Sequence, residues 1–244
     1  MAVAFTAALA SSVAPSSAWK TTAPPGNDAQ WRCANHARNE WRVQTDARGG
    51  LLFAAPPARR PEFSLRLPGG GRLVGIDKGE FGGSVDWVSD SGRERLQLLQ
   101  TNPVAFTQYQ GDVYIASGLS HLGDEYGEVY RMHRLAPTRW QIDKVLDIDE
   151  APTAALAESE VWTLVTTHGV MRVDLRSFTA TRMHVNARWG SVYPNSVVHR
   201  QGRWYIGARG AVMRLSPSGD AYREEWMVPP DCAAATADFC RCRE

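Results

Sequence analysis

Along most of this 244-residue chain, apolar and polar residues alternate with a period of two rather than in the rhythm of a helix. Successive side chains of a strand point to opposite faces, so this alternation predicts β-structure. In Val170 to Leu175, Met171, Val173 and Leu175 fall on one face, and Arg172 and Asp174 fall on the other together with Val170. No stretch beyond the first eighteen residues keeps a helical period for three turns, which predicts little helix. Strands are predicted at Trp41–Thr45 and Leu51–Ala54, then near Phe63–Leu67, Arg72–Ile76, Val85–Val88 and Arg95–Leu99. Turns such as Pro68-Gly69-Gly70-Gly71, Phe81-Gly82-Gly83 and Asp90-Ser91-Gly92 divide them.

A longer period lies over the short one. Val129-Tyr130-Arg131-Met132 returns as Val170-Met171-Arg172-Val173 and as Val212-Met213-Arg214-Leu215, about 41 to 42 residues apart. Each return follows another apolar run: Val113–Ala116, Val161–Leu164 and Trp204–Gly207. Pro103–Ala116 and Pro194–Gly207 superpose without a gap, matching Gly111 to Gly202, Tyr114 to Tyr205 and Ile115 to Ile206. On these residues the chain resembles β-propellers in general, from Trp31 to Val228. It lacks the Gly-His and Trp-Asp signatures of the WD repeat, and no narrower family is implied.

The resemblance implies an all-β fold of five blades, each of four antiparallel strands, with six blades or an open ring as the alternative. The units run Trp31–Pro61, Glu62–Gln100, Thr101–Ile148, Asp149–Val192 and Tyr193–Val228. The first is a strand short, and closed propellers commonly complete a blade with a strand from the other terminus. The cysteine-containing tail is the expected source of that strand or its anchor. Trp87, Trp162 and Trp204 recur inside strands and are expected to fill the wedges between blades. Trp189, in a turn-like Arg-Trp-Gly-Ser segment, is expected at the surface.

A hydrophobic content of 43% over this length suffices for one domain, placed at 31–244. Net charge of +1 offers no field for a phosphate backbone and argues against nucleic-acid binding. Residues 1–18 are small, apolar and uncharged, end in Ser16-Ser17-Ala18, and read as a signal peptide; residues 19–30 read as a flexible lead-in. No other apolar run approaches the length of a transmembrane helix, so a secreted or periplasmic monomer is expected. Four cysteines suit an oxidising compartment. Cys240 and Cys242 are too close to bridge each other comfortably, so one is expected to pair with Cys33 and the other with Cys232.

Propeller topology gathers the turns between second and third strands, and the links between blades, on one face. The longest such turn, Ser117–Glu128, is expected to be an expanded loop, where function tends to collect. The ligand-binding candidates on this face are Trp189, Tyr193, Asn195, Arg209 and Tyr126. His121 and His168 occupy corresponding turns of adjacent blades and with Asp124 or Glu125 would make a three-ligand site for a divalent metal. Arg131, Arg172 and Arg214 share one repeat position, suited either to gripping an anion or to pairing with Asp86 or Asp174 across blades.

GxSxG, P-loop, HExxH and GxGxxG motifs are absent from the sequence. The leading expectation is therefore a binding module for a carbohydrate, a peptide or a protein surface. The alternative is a propeller enzyme of the glycoside hydrolase or glutaminyl cyclase kind using Glu125, Asp149, His121 and His168. A structural interaction module is the third possibility.

Overall fold

The computed structural model describes residues 14–15, 18–37, 39–56 and 62–230. They form five antiparallel sheets in a propeller-like ring. The first sheet holds β1 (Ala14–Pro15), β3 (Arg42–Thr45) and β4 (Leu51–Ala54). The second is β5 (Phe63–Arg66) to β8 (Arg95–Leu99), with β6 (Arg72–Asp77) and β7 (Gly83–Val88) between them. The third runs through β9 (Pro103–Tyr109), β10 (Asp112–His121), β11 (Asp124–Ala136) and β12 (Arg139–Ile148). The fourth comprises β13 (Pro152–Glu158), β14 (Val161–Thr166), β15 (Gly169–Asp174) and β16 (Thr179–Val185). In the fifth, β17 (Ser196–Arg200), β18 (Arg203–Gly207), β19 (Val212–Ser218) and β20 (Ala221–Val228) are joined by β2 (Lys20–Thr22).

The second, third and fourth sheets fall within the expected units, but the first and fifth each take a strand from before Trp31, and neither has four strands. The first has three and the last has five. The extra strand comes from the N-terminal side: β2 pairs antiparallel with β20 through Lys20–Val228, Thr21–Met227 and Thr22–Trp226. The expected lead-in therefore contains a strand, and it runs into helix α1 (Asp28–Asn35), capped by the Asn27 side chain accepting from Gln30 N at 3.0 Å. The tail cysteines expected to supply or pin a strand lie outside the described residues.

Four apolar clusters occupy four seams. Leu73, Val85 and Trp87 of the second blade meet Val113, Ile115 and Met132 of the third. Tyr114 and Val129 meet Trp162, Leu164 and Met171 between the third and fourth. Val165 and Val170 meet Trp204, Ile206 and Trp226 between the fourth and fifth, where α1 adds Trp31. Tyr205, Val212 and Met227 of the fifth meet Val43 and Phe53 of the first, with Trp19 between them. Consecutive residues Tyr114 and Ile115 thus serve opposite seams, as Tyr205 and Ile206 do. A sheet buried on both faces needs apolar side chains on both, which is why these inner strands read as unbroken apolar runs. Each fully buried side chain contributes about 1.5–3 kcal/mol. Trp87, Trp162 and Trp204 lie in these seams as expected.

Glycines admit each neighbouring blade. A Cβ on Gly83 would meet Thr101 O at 2.5 Å, and one on Gly127 would meet Pro152 Cδ at 2.8 Å, both where the chain enters the next blade. Gly207 of the fifth blade makes the same approach to Trp41 and Arg42, which lead into the first. The first blade therefore follows the fifth as the third follows the second. Ser196 Oγ, accepting from Val43 N at 2.9 Å, fastens that seam.

Arg131, Arg172 and Arg214 do share one register, opposite Tyr114, Thr163 and Tyr205. Their pairing is within blades: Arg131 bonds Asp112, and Arg214 bonds Glu225. Asp86 instead pairs with Arg95. Arg172 is exposed.

Candidate functional site

The turns between second and third strands gather at one end of the ring, as the topology requires. They are the 3-10 turn Gly79–Phe81, the hairpin His121–Asp124, the tight turn Thr166–Gly169 and the segment Ala208–Ala211. The links between blades close over them. Gly118 N donates to Asn102 O at 3.0 Å, Thr167 N to Ala151 O at 3.0 Å, and Arg209 N to Val192 O at 2.7 Å.

The expected expanded loop Ser117–Glu128 is instead a continuation of strands β10 and β11. Pairing runs from Ser117–Glu128 to His121–Asp124, and two residues with positive φ, Leu122 at 50° and Gly123 at 94°, make the turn. That turn matches the natural twist of a hairpin. The backbone groups of the extra residues bond across the ladder rather than to water, so the segment is a stiff arm.

Asn102, which sequence reasoning passed over, is a hub of this face. Only 4% exposed, its amide donates to Asp77 Oδ1 at 2.8 Å and to Gly79 O at 2.7 Å, while its carbonyl accepts from Tyr126 OH at 3.0 Å. Tyr126 is thereby a strut between hairpin and link. The one available signal was the Asn-Pro step opening a repeat at Asn102-Pro103, where the matched unit has Tyr193-Pro194.

The carboxylates of the face are largely consumed by the fold. Glu125 accepts from Ala151 N at 2.8 Å and from Thr167 Oγ1, and lies 3.3 Å from His168 Nε2. Glu150, 4% exposed, accepts from Thr166 Oγ1 at 2.5 Å and pairs with Arg182. Asp149 and Asp124 are exposed. His121 turns to Glu80, with Nε2 at 2.6 Å from Oε2. The two histidines proposed as metal ligands therefore face different carboxylates. Among the described residues no group of three or more His, Cys, Asp or Glu side chains is placed to hold a metal ion.

Of the binding candidates, Tyr193, Asn195 and Arg209 do come together. The Arg209 guanidinium lies 4.1 Å from the centre of the Tyr193 ring, and its Nη1 donates to Asn35 O at 2.7 Å. Asn195 donates to Glu40 Oε1 at 2.8 Å. Tyr193 is held in the left-handed region at φ 52° and remains 48% exposed. Trp189, expected at the surface, is fully buried. The 3-10 turn Trp189–Val192 swings its ring inward onto the cluster of Trp31 and Trp226. Its Nε1 donates to Glu224, which also accepts from Trp226, His184 and Asn186. Burial presses the Glu224 carboxyl toward a higher pKa, but hydrogen bonds from His184, Asn186 and Trp226 outweigh it and hold it below the usual carboxylate range.

Six large apolar residues are exposed among the described residues, and four stand at this end: Phe81, Leu122, Val185 and Tyr193. Phe81 and Leu122 are the most open of all, at 82% and 92%. The Glu80–His121 contact joins the residues immediately before them.

The chain matches no protein-family profile and no curated protein. It is similar to a number of solved structures, among them these three. The first, described as the AfRom2 CNH domain, has TM-score 0.47 and 8% identity, covering 76% of this chain and 70% of that one. For the tricorn protease the values are TM-score 0.42 and 12% identity, covering 78% and 20%, so the chain spans about a fifth of that protein. The third, from a complex of S. cerevisiae dbp5 with nup159 and gle1, has TM-score 0.39 and 8% identity, covering 80% and 52%.

Proposed function

We propose that the protein is an exported recognition module whose loop face docks on a protein or peptide surface. The observation that carries this reading is the concentration of four of the six exposed large apolar side chains at one end of the ring. Phe81 and Leu122 project from a 3-10 turn and a paired hairpin, so they are ordered before contact, which lowers the entropic cost of binding. Tyr193, with Arg209 over its ring, supplies an aromatic contact of the kind enriched at interfaces. Apolar knobs with few uncommitted polar groups favour a protein surface over a carbohydrate, which asks for many free hydrogen-bonding groups. The acid–base candidates Glu125 and Glu150 are engaged in holding turns together, which weighs against catalysis at this face.

Export rests on the small, apolar residues 1–18 and on Cys33, buried in α1 and not free. Cleavage after Ala18 would remove β1 and leave Trp19 and β2 in the mature chain.

Panning a random-peptide phage library on the immobilised protein tests the docking face. Enriched peptides are expected to bind a Phe81→Ser, Leu122→Ser double variant at least about tenfold more weakly, a loss of about 1.4 kcal/mol. Peptides that bind both proteins equally, or glycans retained on an array only when Tyr193 is intact, would overturn the reading.

A further inference from the structure

At the opposite end of the ring, the seam between the third and fourth blades opens into a cavity of about 370 Å³. Its floor is Tyr114, Leu175 and Phe178, and its rim carries Asp112, Arg131 and Arg176. We propose that this cavity binds a small ring-bearing carboxylic acid.

Donors outnumber acceptors here. Asp112 is spent: Oδ2 accepts from Arg131 Nε and Nη2, both at 2.5 Å, and Oδ1 lies 2.6 Å from His133 Nδ1. Among the described residues that leaves Arg131 Nη1 uncommitted, on a guanidinium kept charged by its hydrogen bond to Asp112. Arg176 has only a loose contact, 3.5 Å from Glu160, and is 66% exposed. Tyr114 is 3% exposed, and it lines the cavity. Burial pushes its pKa up, so it remains a donor. A donor in the wall of a cavity beside two guanidinium groups can bond an oxygen of an anionic ligand.

The body of the ligand follows from the floor. Tyr114 and Phe178 lie 6.2 Å apart, centre to centre, at 43°, with Leu175 beside them. Such a floor accepts a flat or chair-shaped ring, and the volume is at the lower end of small-molecule sites. The repeat itself supplies a control. Tyr205 occupies the equivalent position of the fifth blade, but its seam is packed with Trp19, Phe53 and Met227. The site is therefore a local opening of the third and fourth blades, not a property of the repeat.

The test is calorimetric titration of the whole protein with benzoate, with glucuronate and with inorganic phosphate. Saturable binding of benzoate or glucuronate is expected, the two separating an aromatic acid from a sugar acid. Arg176→Ala removes an exposed side chain and Tyr114→Phe removes one oxygen, so both variants should keep the fold. Each is expected to weaken binding, the first by at least about tenfold. Phosphate binding as tightly as both acids, no saturation by any of the three, or unchanged affinity in Arg176→Ala would each overturn the proposal.

Discussion

Trp189 Nε1 donates to Glu224 Oε1 across 3.2 Å, tying the link between the fourth and fifth blades to the fourth strand of the fifth. The carboxylate receives further bonds from Trp226 at 2.7 Å, Asn186 at 3.0 Å and His184 at 2.9 Å, so both oxygens are satisfied. Two of those partners reach it from the fourth blade and its outgoing link, and helix α1 closes over them with Trp31 edge-on to Trp226 at 5.5 Å.

This buried carboxylate makes stability pH-dependent. Its folded pKa lies below the unfolded value of about 4.3, so its contribution is fully present above that value and is lost as pH falls through the folded pKa. Thermal melts from neutral to acid pH should show Glu224→Gln less stable by about 2–3 kcal/mol at pH 7, with a shallower acid decline than the wild type. Parallel acid limbs would refute the assignment.

Trp19 joins the two ends of the ring. Its ring sits 4.7 Å from Trp41 and 4.8 Å from Phe53, centre to centre, both edge-on, beside Tyr205 and Met227 of the fifth blade. Trp19→Ala should cost about 3–5 kcal/mol in urea unfolding. Because the indole N–H makes no hydrogen bond to the described residues in its buried position, Trp19→Phe should lose far less. Equal losses for the two variants would mean that packing is not what Trp19 supplies.

Gly207 tests the closing contact between the fifth and first blades. A methyl there would collide with Trp41 O and Ser196 Oγ and lie 2.8 Å from Arg42 Cα. Gly202, by contrast, has open space but a φ of 70°. Gly202→Ala should cost about 1–2 kcal/mol from backbone strain, and Gly207→Ala about 3 kcal/mol or more from overpacking. The reverse order in chemical denaturation would argue against the seam as described.

Cys33 carries the prediction about export. Peptide mapping without reductant should recover Cys33 linked to a tail cysteine, and Cys33→Ser should destabilise the protein by about 2–5 kcal/mol. Wild-type protein whose melting is indifferent to reductant would exclude that bridge.

Much of the architecture was legible because it is periodic. The recurrence of Arg131, Arg172 and Arg214 located equivalent strands, and the match of Tyr114 to Tyr205 located equivalent registers, since strand pairing repeats wherever the apolar pattern repeats. The site was less legible because its residues are not periodic. Trp189 looked exposed since a turn sequence records only local backbone, and the carboxylate that draws its indole inward is 35 residues away. Asn102 was invisible for the same reason: its partners Asp77 and Tyr126 come from two different blades. Ser117–Glu128 was misread because a polar stretch pairs with itself as readily as it loops, and the turn Leu122-Gly123 was a weaker signal than Asn-Gly.

The sequence by itself determined most of the strands from Trp41 onward, their grouping into repeated units and the apolar runs of the inner strands, because these follow from short-range pattern and from covalent order. Only the tertiary structure decided which strand completes which sheet, which tryptophan is buried, and where a seam is filled or left open. Those outcomes depend on contacts between residues far apart in the chain, where a hydrogen-bond partner or a packing neighbour exists only once the ring has formed.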